Sequence, residues 1–391
     1  MNRKQHRDDS KSGTPAPRLE RDDPVDLHSL GVQAFREGRH GVATELIARA
    51  IALDGQVASF HYNLAIVLKA QGLLAEAAAS YQRALTLKPD YVEAHNNLGN
   101  VWKALGERGK AQANFARALE FRPGYAEAHY NLGVLFGEGG DRQQAAMHLQ
   151  ACLAQDPGDS RGVRMLLAHL GLEAAPARTP EAHLIALYDQ RSRSWDSDRS
   201  YRGHELVARA LRDHAPDPKL DILDAGCGTG LAGALVRDLA RQLDGVDLSP
   251  AMLERALGKQ IYDRLKQDDM IAFLCAHPDC YDAIISAATL IHFGDLRAVF
   301  EAARPALRDS GLFVFTLFAS EAETVDFAPA AHFELARHGC YGHSAGYVER
   351  LAEATGFTVE LLEKVIHEHD REGQPVAGIL AVLRAGKGAA G

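Results

Sequence analysis

Asp224 stands two residues before a glycine turn, Gly226-Cys227-Gly228-Thr229-Gly230, and a second acid, Asp247, follows nineteen residues after Gly228. Glycines let a backbone turn sharply and approach a ligand closely. Carboxylates at the ends of strands supply hydrogen-bond acceptors and negative charge. Gly228-Thr229-Gly230-Leu231-Ala232-Gly233 fits the dinucleotide pattern Gly-x-Gly-x-x-Gly, so a nicotinamide dinucleotide is one candidate ligand. Asp224 argues against it, because its charge beside the loop would repel a pyrophosphate and attract a cation. His367 and His369 alternate on one strand face, as metal ligands can, but the segment runs into a polar turn. They are expected to be solvated hairpin residues, and no metal site is expected.

The elements that position these residues follow from periodicity. Leu220–Ala225 is an apolar strand feeding the glycine turn, and a helix follows over Leu231–Leu239. A short strand ends at Asp247, and a helix starts at Ser249-Pro250 with serine as N-cap and proline at the first position. Tyr281–Ser286 and Leu312–Phe318 read as further strands, with helices near 181–190, 203–213 and Ala345–Ala354. Thr358–Ile366 and Val376–Leu383, joined through Gly373 and Pro375, read as an antiparallel pair. Strands alternating with helices imply a parallel sheet that binds ligands at the carboxyl ends of its strands.

Asp224 with Gly226, Gly228 and Gly230, Asp247 after the second strand, and Asp268-Asp269-Met270 after the third resemble the Rossmann-like, class I methyltransferases. The resemblance covers roughly 180–385, about half the chain. It implies S-adenosyl-L-methionine, which carries a sulfonium and an ammonium and no phosphate, as cofactor. By position, the Gly226–Gly230 turn would pass under the methionine part, with Asp224 near its ammonium. Asp247, with Leu248 beside it, would accept from the ribose hydroxyls; as a strand-end carboxylate it could instead cap the helix from Ser249. Asp269 and Met270 would border the adenine, the choice between Asp268 and Asp269 staying open, with solvated loop carboxylates as the other reading of both. Ser286 and Ala287 would close the floor.

The segment Leu187–Asp196 occupies the place of a helix that in such enzymes often folds over the cofactor. Arg191, Arg193 and Trp195 depart from the small and aromatic residues usual there. A guanidinium could pair with the methionine carboxylate and Trp195 could cover the sulfonium; exposed arginines and a core tryptophan are the other reading. Methyl transfer from a sulfonium needs mainly an acceptor held in line in a dry site. A general base matters only for an acceptor that is protonated at working pH. His292, in Thr289-Leu-Ile-His-Phe-Gly-Asp295, sits where many of these enzymes have a residue facing the acceptor, as base or contact, or else as a packed histidine. Tyr341 and His343, in the glycine-flanked Gly339–Ser344 segment, are candidates for lining an acceptor pocket.

The first half repeats with a period of 34: Gly38, Gly72, Gly106 and Gly140; Leu30, Leu64, Leu98 and Leu132; Ala77, Ala111 and Ala145; Pro89, Pro123 and Pro157. Each unit reads helix, glycine turn, helix, proline stop, and resembles the tetratricopeptide repeat, with units near 24–57, 58–91, 92–125 and 126–159 and a capping helix at 160–171. Ser29, Asn63, Asn97 and Asn131 form another row on the first helices, the side that lines the groove in this family. Helix interiors do not favour asparagine. The row therefore serves either an extended peptide docked in the groove or hydrogen bonds between repeats. His61, His95 and His129 recur two residues earlier and are expected to pack.

The expected fold class is α plus α/β: a tetratricopeptide α-solenoid (24–172), a linker (173–180), and a Rossmann-like doubly wound sheet with a C-terminal antiparallel hairpin (181–385), between tails at 1–23 and 386–391. The layout resembles bacterial proteins that join such repeats to a C-terminal methyltransferase domain. Expected partners are a protein or extended peptide on the repeats and a small-molecule or carrier-bound acceptor, be it a carboxylate, a hydroxyl or an acyl group; a protein side chain is a further acceptor. A scaffold that holds cofactor without turnover is the alternative. Residues 173–391 carry twenty-three Lys/Arg against thirty-three Asp/Glu, a poor match to a phosphate backbone, so nucleic acid is not expected. No apolar run approaches the ~20 residues of a membrane helix. The five scattered cysteines include no Cys-x-x-Cys, which fits a cytoplasmic setting.

Overall fold

The computed structural model describes residues 23–197, 200–215, 219–320, 333–336, 339–370 and 372–386. Apart from Asp23 and Gly386, the two expected tails lie outside the described residues. The chain divides into two compact units, residues 1–135 and 136–391, so the division falls inside the fourth repeat and not at 173–180.

In the first unit, α1 (Pro24–Arg36) and α2 (His40–Leu53), α3 (Ala58–Ala70) and α4 (Leu74–Leu87), and α5 (Val92–Ala104) and α6 (Arg108–Phe121) are successive helix pairs, followed by α7 (Ala126–Glu138), within which the unit ends. Asp23 caps α1 by accepting from Val25 N and Asp26 N, with Pro24 opening the helix. The pairs turn at Gly38, Gly72 and Gly106, whose φ of +76° to +80° is left-handed backbone. Ala77 and Ala111 are fully buried. At Gly99 the ring of Phe115 fills the place of a side chain, only 2.5 Å from where a Cβ would sit. Leu98 and Leu132 are buried, whereas Leu30 is 41% exposed, where no earlier pair among the described residues covers it.

The asparagine row is a ladder between repeats. Asn63 Nδ2 donates to His28 Nε2 at 2.7 Å, Asn97 Nδ2 to Tyr62 Oη at 3.0 Å, and Asn131 Nδ2 to Asn96 Oδ1 at 2.9 Å. Each amide nitrogen thus reaches the preceding repeat, at a row of acceptors that is itself spaced by 34. Of the two readings open in the sequence, these nitrogens take the inter-repeat one. The histidine row donates back to the turn before its own helix, from Nε2 to Gly55 O, Pro89 O and Pro123 O. At about 1 kcal/mol net per half-buried bond, changing Asn63, Asn97 and Asn131 together to alanine should cost about 3 kcal/mol of repeat stability. A urea midpoint that moved by less than the equivalent of about 0.5 kcal/mol would refute the ladder.

The second unit contains α8 (Arg142–Gln155) and α9 (Val163–His169), the latter shorter at both ends than the expected 160–171; Asp159 accepts from its first N–H groups, Val163 N at 2.5 Å and Arg164 N at 3.0 Å. It continues with α10 (Glu181–Arg191), α11 (Gly203–His214), β1 (Leu220–Ala225), α12 (Leu231–Val236), β2 (Ala240–Asp247), α13 (Pro250–Gly258) and β3 (Arg264–Gln267). Then come α14 (Met270–Cys275), β4 (Tyr281–Ser286), α15 (Arg297–Ala306), β5 (Leu307–Ala319), β6 (Phe333–Leu335), β7 (Tyr341–His343), α16 (Ala345–Ala354), β8 (Phe357–His369) and β9 (Pro375–Ala385).

The pairings give the order β3-β2-β1-β4-β5-β9-β8, parallel as far as β5, with β9 antiparallel to both neighbours. The short β7 and β6 attach at the end of β5. Alternation along the strands feeds two cores. Ile222, Ala283, Ile285, Leu312 and Val314 pack with Val207 and Leu211 of α11. Leu223, Ile284, Phe313 and Phe315 pack with Phe300 of α15 and Val348 of α16. Because both faces are covered, these strands read as continuous apolar runs. His367 departs from its expected solvated place. It is fully buried, its ring 4.9 Å from that of Phe318, and a Cβ at Gly378 across the hairpin would come within 2.7 Å of it.

Candidate functional site

Strand order reverses between β1 and β4, and a reversal opens a crevice at the carboxyl ends of parallel strands. A cleft of about 1000 Å³, open to solvent on one side, lies there. Gly226, Cys227, Gly228, Asp224, Asp247, Leu248, Asp268, Asp269 and Met270 line it, and so do Tyr188, Trp195, Tyr201, Ala287, Ala288, Thr289 and His292.

The glycines of the turn have different tasks. Gly226 has φ +78° and lies under the side chain of Thr289, which would collide with a Cβ. Gly228 has φ +54° and open space where a Cβ would stand. Gly230, at φ +88°, is the N-cap of α12 and packs by Tyr262, apart from the cleft lining. Gly233, the third glycine of the dinucleotide-like pattern, leaves room for the same tyrosine ring. The pattern therefore serves the packing of Tyr262. That ring in turn holds the first acid, for Tyr262 Oη donates to Asp224 Oδ2 at 2.6 Å. Asp224 is 1% exposed, and burial pushes its carboxyl up to about 7 although the Tyr262 bond pulls the other way.

Asp247 places one oxygen on Gly228 N at 2.8 Å and the other on Ser249 N at 2.9 Å. Burial raises its pKa, and these backbone donors oppose the rise. It thus orders the loop and flanks the helix start, while Ser249 itself caps α13. Each oxygen keeps a lone pair for a further donor. At the next strand end, Asp269 caps α14 through Ile271 N and Ala272 N, both at 3.1 Å, and accepts from Arg178 Nη1 at 2.7 Å. Asp269 N donates to Asp268 Oδ1 at 3.0 Å, a bond that does not use Asp268 Oδ2, and Asp268 lines the cleft. Ser286 is fully buried and bonds Ala225 O at 2.8 Å, tying β4 to β1 beneath the cleft, so its expected place on the floor goes to Ala287 and Ala288. Ala288 is left-handed, with φ +59°. Its N–H donates to Thr316 Oγ1 at 3.0 Å, which lies 3.1 Å from His367 Nε2.

The covering segment is aromatic. Tyr188 and Trp195 meet edge to face at 5.6 Å, and Trp195 lies 5.6 Å from Tyr201. Asp189 accepts from Ser249 Oγ at 2.6 Å, and Asp196 accepts from Thr229 Oγ1 and pairs with Lys259 at 3.1 Å. Arg191 and Arg193 are exposed and do not line the cleft, which favours the second reading of those guanidinium groups.

The three expected acceptor residues separate. His292 lines the cleft, buried, with Nε2 2.7 Å from Tyr188 Oη. Burial lowers its pKa to about 3, so the ring is neutral. Tyr341 and His343 lie outside the cleft and are fully buried on β7. Tyr341 Oη donates to Pro176 O at 2.5 Å, and His343 Nε2 donates to Gly294 O at 2.9 Å. Their glycine-flanked segment reads as a loop, but pairing with β5 and β6 makes it a strand whose side chains anchor backbone. Sequence reasoning missed Tyr262, Thr289, Tyr188 and Arg178. Tyr188, four residues after Leu184 on one face of α10, carried a helical signal; the other three carried none. Among the described residues, no group of His, Cys, Asp and Glu could hold a metal ion, and no helix is long and apolar enough to cross a membrane.

Residues 195–362 match the family model of a methyltransferase domain. Residues 67–106 match that of a TPR repeat, and 96–160 that of a tetratricopeptide repeat. The chain is 26% identical over 214 residues to the biotin biosynthesis bifunctional protein BioHC of Saccharophagus degradans, covering 51% of this chain and 37% of that protein. It is 32% identical over 151 residues to the probable S-adenosylmethionine-dependent methyltransferase CRG1 of Saccharomyces cerevisiae, covering 37% of this chain and 49% of that one. The chain thus spans less than half the length of these curated relatives. Among solved structures it is similar to 1,6-didemethyltoxoflavin-N1-methyltransferase of Burkholderia thailandensis, at 19% identity and a TM-score of 0.42, over 55% of this chain and 94% of that one.

Proposed function

We propose, for a chain in which tetratricopeptide repeats (67–160) precede a methyltransferase domain (195–362), that the cleft binds S-adenosyl-L-methionine and methylates an acceptor delivered by or with a protein bound to the repeats. The observation that carries this reading is Asp247, whose two oxygens join the glycine loop to the next helix while keeping lone pairs for ribose hydroxyls. The residues present fit the cofactor. Open space at Gly228 admits a ligand close to backbone, the buried Asp224 carboxyl suits an ammonium, and Asp268 Oδ2 suits a purine amine. When bound, the cofactor supplies an electrophilic methyl on a sulfonium.

In this reading Tyr188, Trp195 and Tyr201 exclude water and face the cation with aromatic rings. His292, neutral and paired with Tyr188, acts as a hydrogen-bond partner at the acceptor end. With a pKa near 3 it is too weak a base to serve as a general base at neutral pH.

Calorimetric titration with S-adenosylmethionine, S-adenosylhomocysteine and NAD at pH 6 and pH 8 tests the proposal. The two adenosyl ligands should bind and NAD should not. A carboxyl with a pKa of about 7 is mostly protonated at pH 6, and a ligand ammonium favours the carboxylate, so affinity should rise about tenfold from pH 6 to pH 8. The empty domain behaves oppositely. Its Asp224 pKa lies above the unfolded value, so this group's contribution to stability falls as pH rises from about 4 to about 7. Binding of NAD, or of neither adenosyl ligand, would overturn the reading.

A further inference from the structure

Residues 173–180 read as a linker, yet Pro176 and Ala177 are bonded to β7 and Gly294 behind the cleft, and Arg178 and Thr179 to residues that line it. Pro176 O accepts from Tyr341 Oη at 2.5 Å, Ala177 O from Gly294 N at 2.8 Å, and Thr179 N donates to His292 O at 2.8 Å. Arg178 forms an antiparallel bridge with Phe293. Its side chain reaches further, with Nη1 2.7 Å from Asp269 Oδ2 and Nη2 bonded to Glu181. Arg178 and Thr179 both line the cleft, and Thr179 is buried.

We infer that this connector is a wall of the cofactor cleft, and that Arg178 is a positioning residue that sets its specificity for an amino-purine. The inference rests on the adenosyl reading above. Asp268 and Asp269 are adjacent carboxylates, and like charges so close repel. Arg178 neutralises Asp269, whose other oxygen caps α14 and whose N–H holds Asp268 Oδ1. In this inference Asp268, which lines the cleft, offers its Oδ2 there as an acceptor, suited to an exocyclic amine and unsuited to a 6-oxo group. Removing the guanidinium frees Asp269 to turn away, loosening both the first turn of α14 and the acceptor beside it.

The test uses the full chain as wild type, Arg178→Ala and Arg178→Lys, each titrated with S-adenosylhomocysteine and its inosine counterpart. Hydrogen exchange of the ligand-free proteins is followed in parallel. Wild type should prefer the adenosine ligand. Arg178→Ala should bind it at least tenfold more weakly, with most of the preference over the inosine ligand lost and faster exchange at residues 270–273. Arg178→Lys, which keeps the charge but not the fork, should recover part of both. If Arg178→Ala melts below the assay temperature, Arg178→Lys decides by the same selectivity ratio. Wild type that binds while the variants match it in affinity, selectivity and exchange would overturn this inference and leave the cofactor reading standing. Wild type that binds neither ligand overturns both.

Discussion

Replacing Asp247 with alanine is expected to weaken S-adenosylhomocysteine binding at least a hundredfold. Each of its oxygens holds a backbone N–H, at 2.8 Å and 2.9 Å, at a half-buried place in the cleft. The substitution removes the acceptors proposed for the ribose and leaves Gly228 N and Ser249 N without their partner. Hydrogen bonds to a charged group contribute about 1.5–3 kcal/mol each, so losing two costs about 3–6 kcal/mol, or two to four orders of magnitude in affinity. Asp247→Asn keeps one carbonyl oxygen but must turn an NH2 toward one of the two N–H groups, so it should recover only a small part. Calorimetry on the pair checks this, and an alanine variant within tenfold of wild type would exclude Asp247 as a ribose contact.

The glycine turn offers the second large effect, and it separates stability from binding. Gly226→Ala should destabilise the second unit by about 2–5 kcal/mol: about 1–2 for left-handed backbone and about 1–3 for crowding a packed site. The crowding is specific, since the new methyl would lie 2.5 Å from Thr289 Cγ2 and 2.7 Å from its Cβ. Gly228→Ala meets nothing within 4 Å among the described residues, so only the backbone cost of about 1–2 kcal/mol remains. Its methyl, however, stands in the cleft. Thermal melts should therefore fall by several degrees more for Gly226→Ala, whereas Gly228→Ala should stay folded and fail to bind. The reverse order of melting temperatures would mean that the two glycines have been assigned the wrong tasks.

What the sequence disclosed was periodic or contiguous. The 34-residue repeat, the strand into Gly226–Gly230, Asp247 at a strand end and the Ser249-Pro250 helix start each leave a local pattern, and each stands where that pattern places it. The asparagine row was equally visible, but its use was not. Its partners His28, Tyr62 and Asn96 sit 35 residues back, and no local feature separates a rung from a groove contact. Tyr341 and His343 misled because flanking glycines resemble a loop, while strand pairing depends on distant residues of β5 and β6. His367 misled for the same reason, since its burial comes from Phe318 and Gly378 and not from its polar neighbours. Tyr262 was silent because a single tyrosine after a helix has no period. Only the fold brings it under Gly230 and Gly233 and against Asp224.

The bond from Ala288 N to Thr316 Oγ1, and the contact of that oxygen with His367 Nε2, bear on how such a chain can change over generations. The left-handed floor residue depends on a hydroxyl in β5, the hydroxyl faces a histidine in β8, and the histidine fits only because position 378 has no side chain. None of the four can drift alone. The outer hairpin, which is not part of the cleft lining, should therefore inherit its substitutions in step with the cleft floor, whereas the exposed Arg191 and Arg193 are free to vary one at a time.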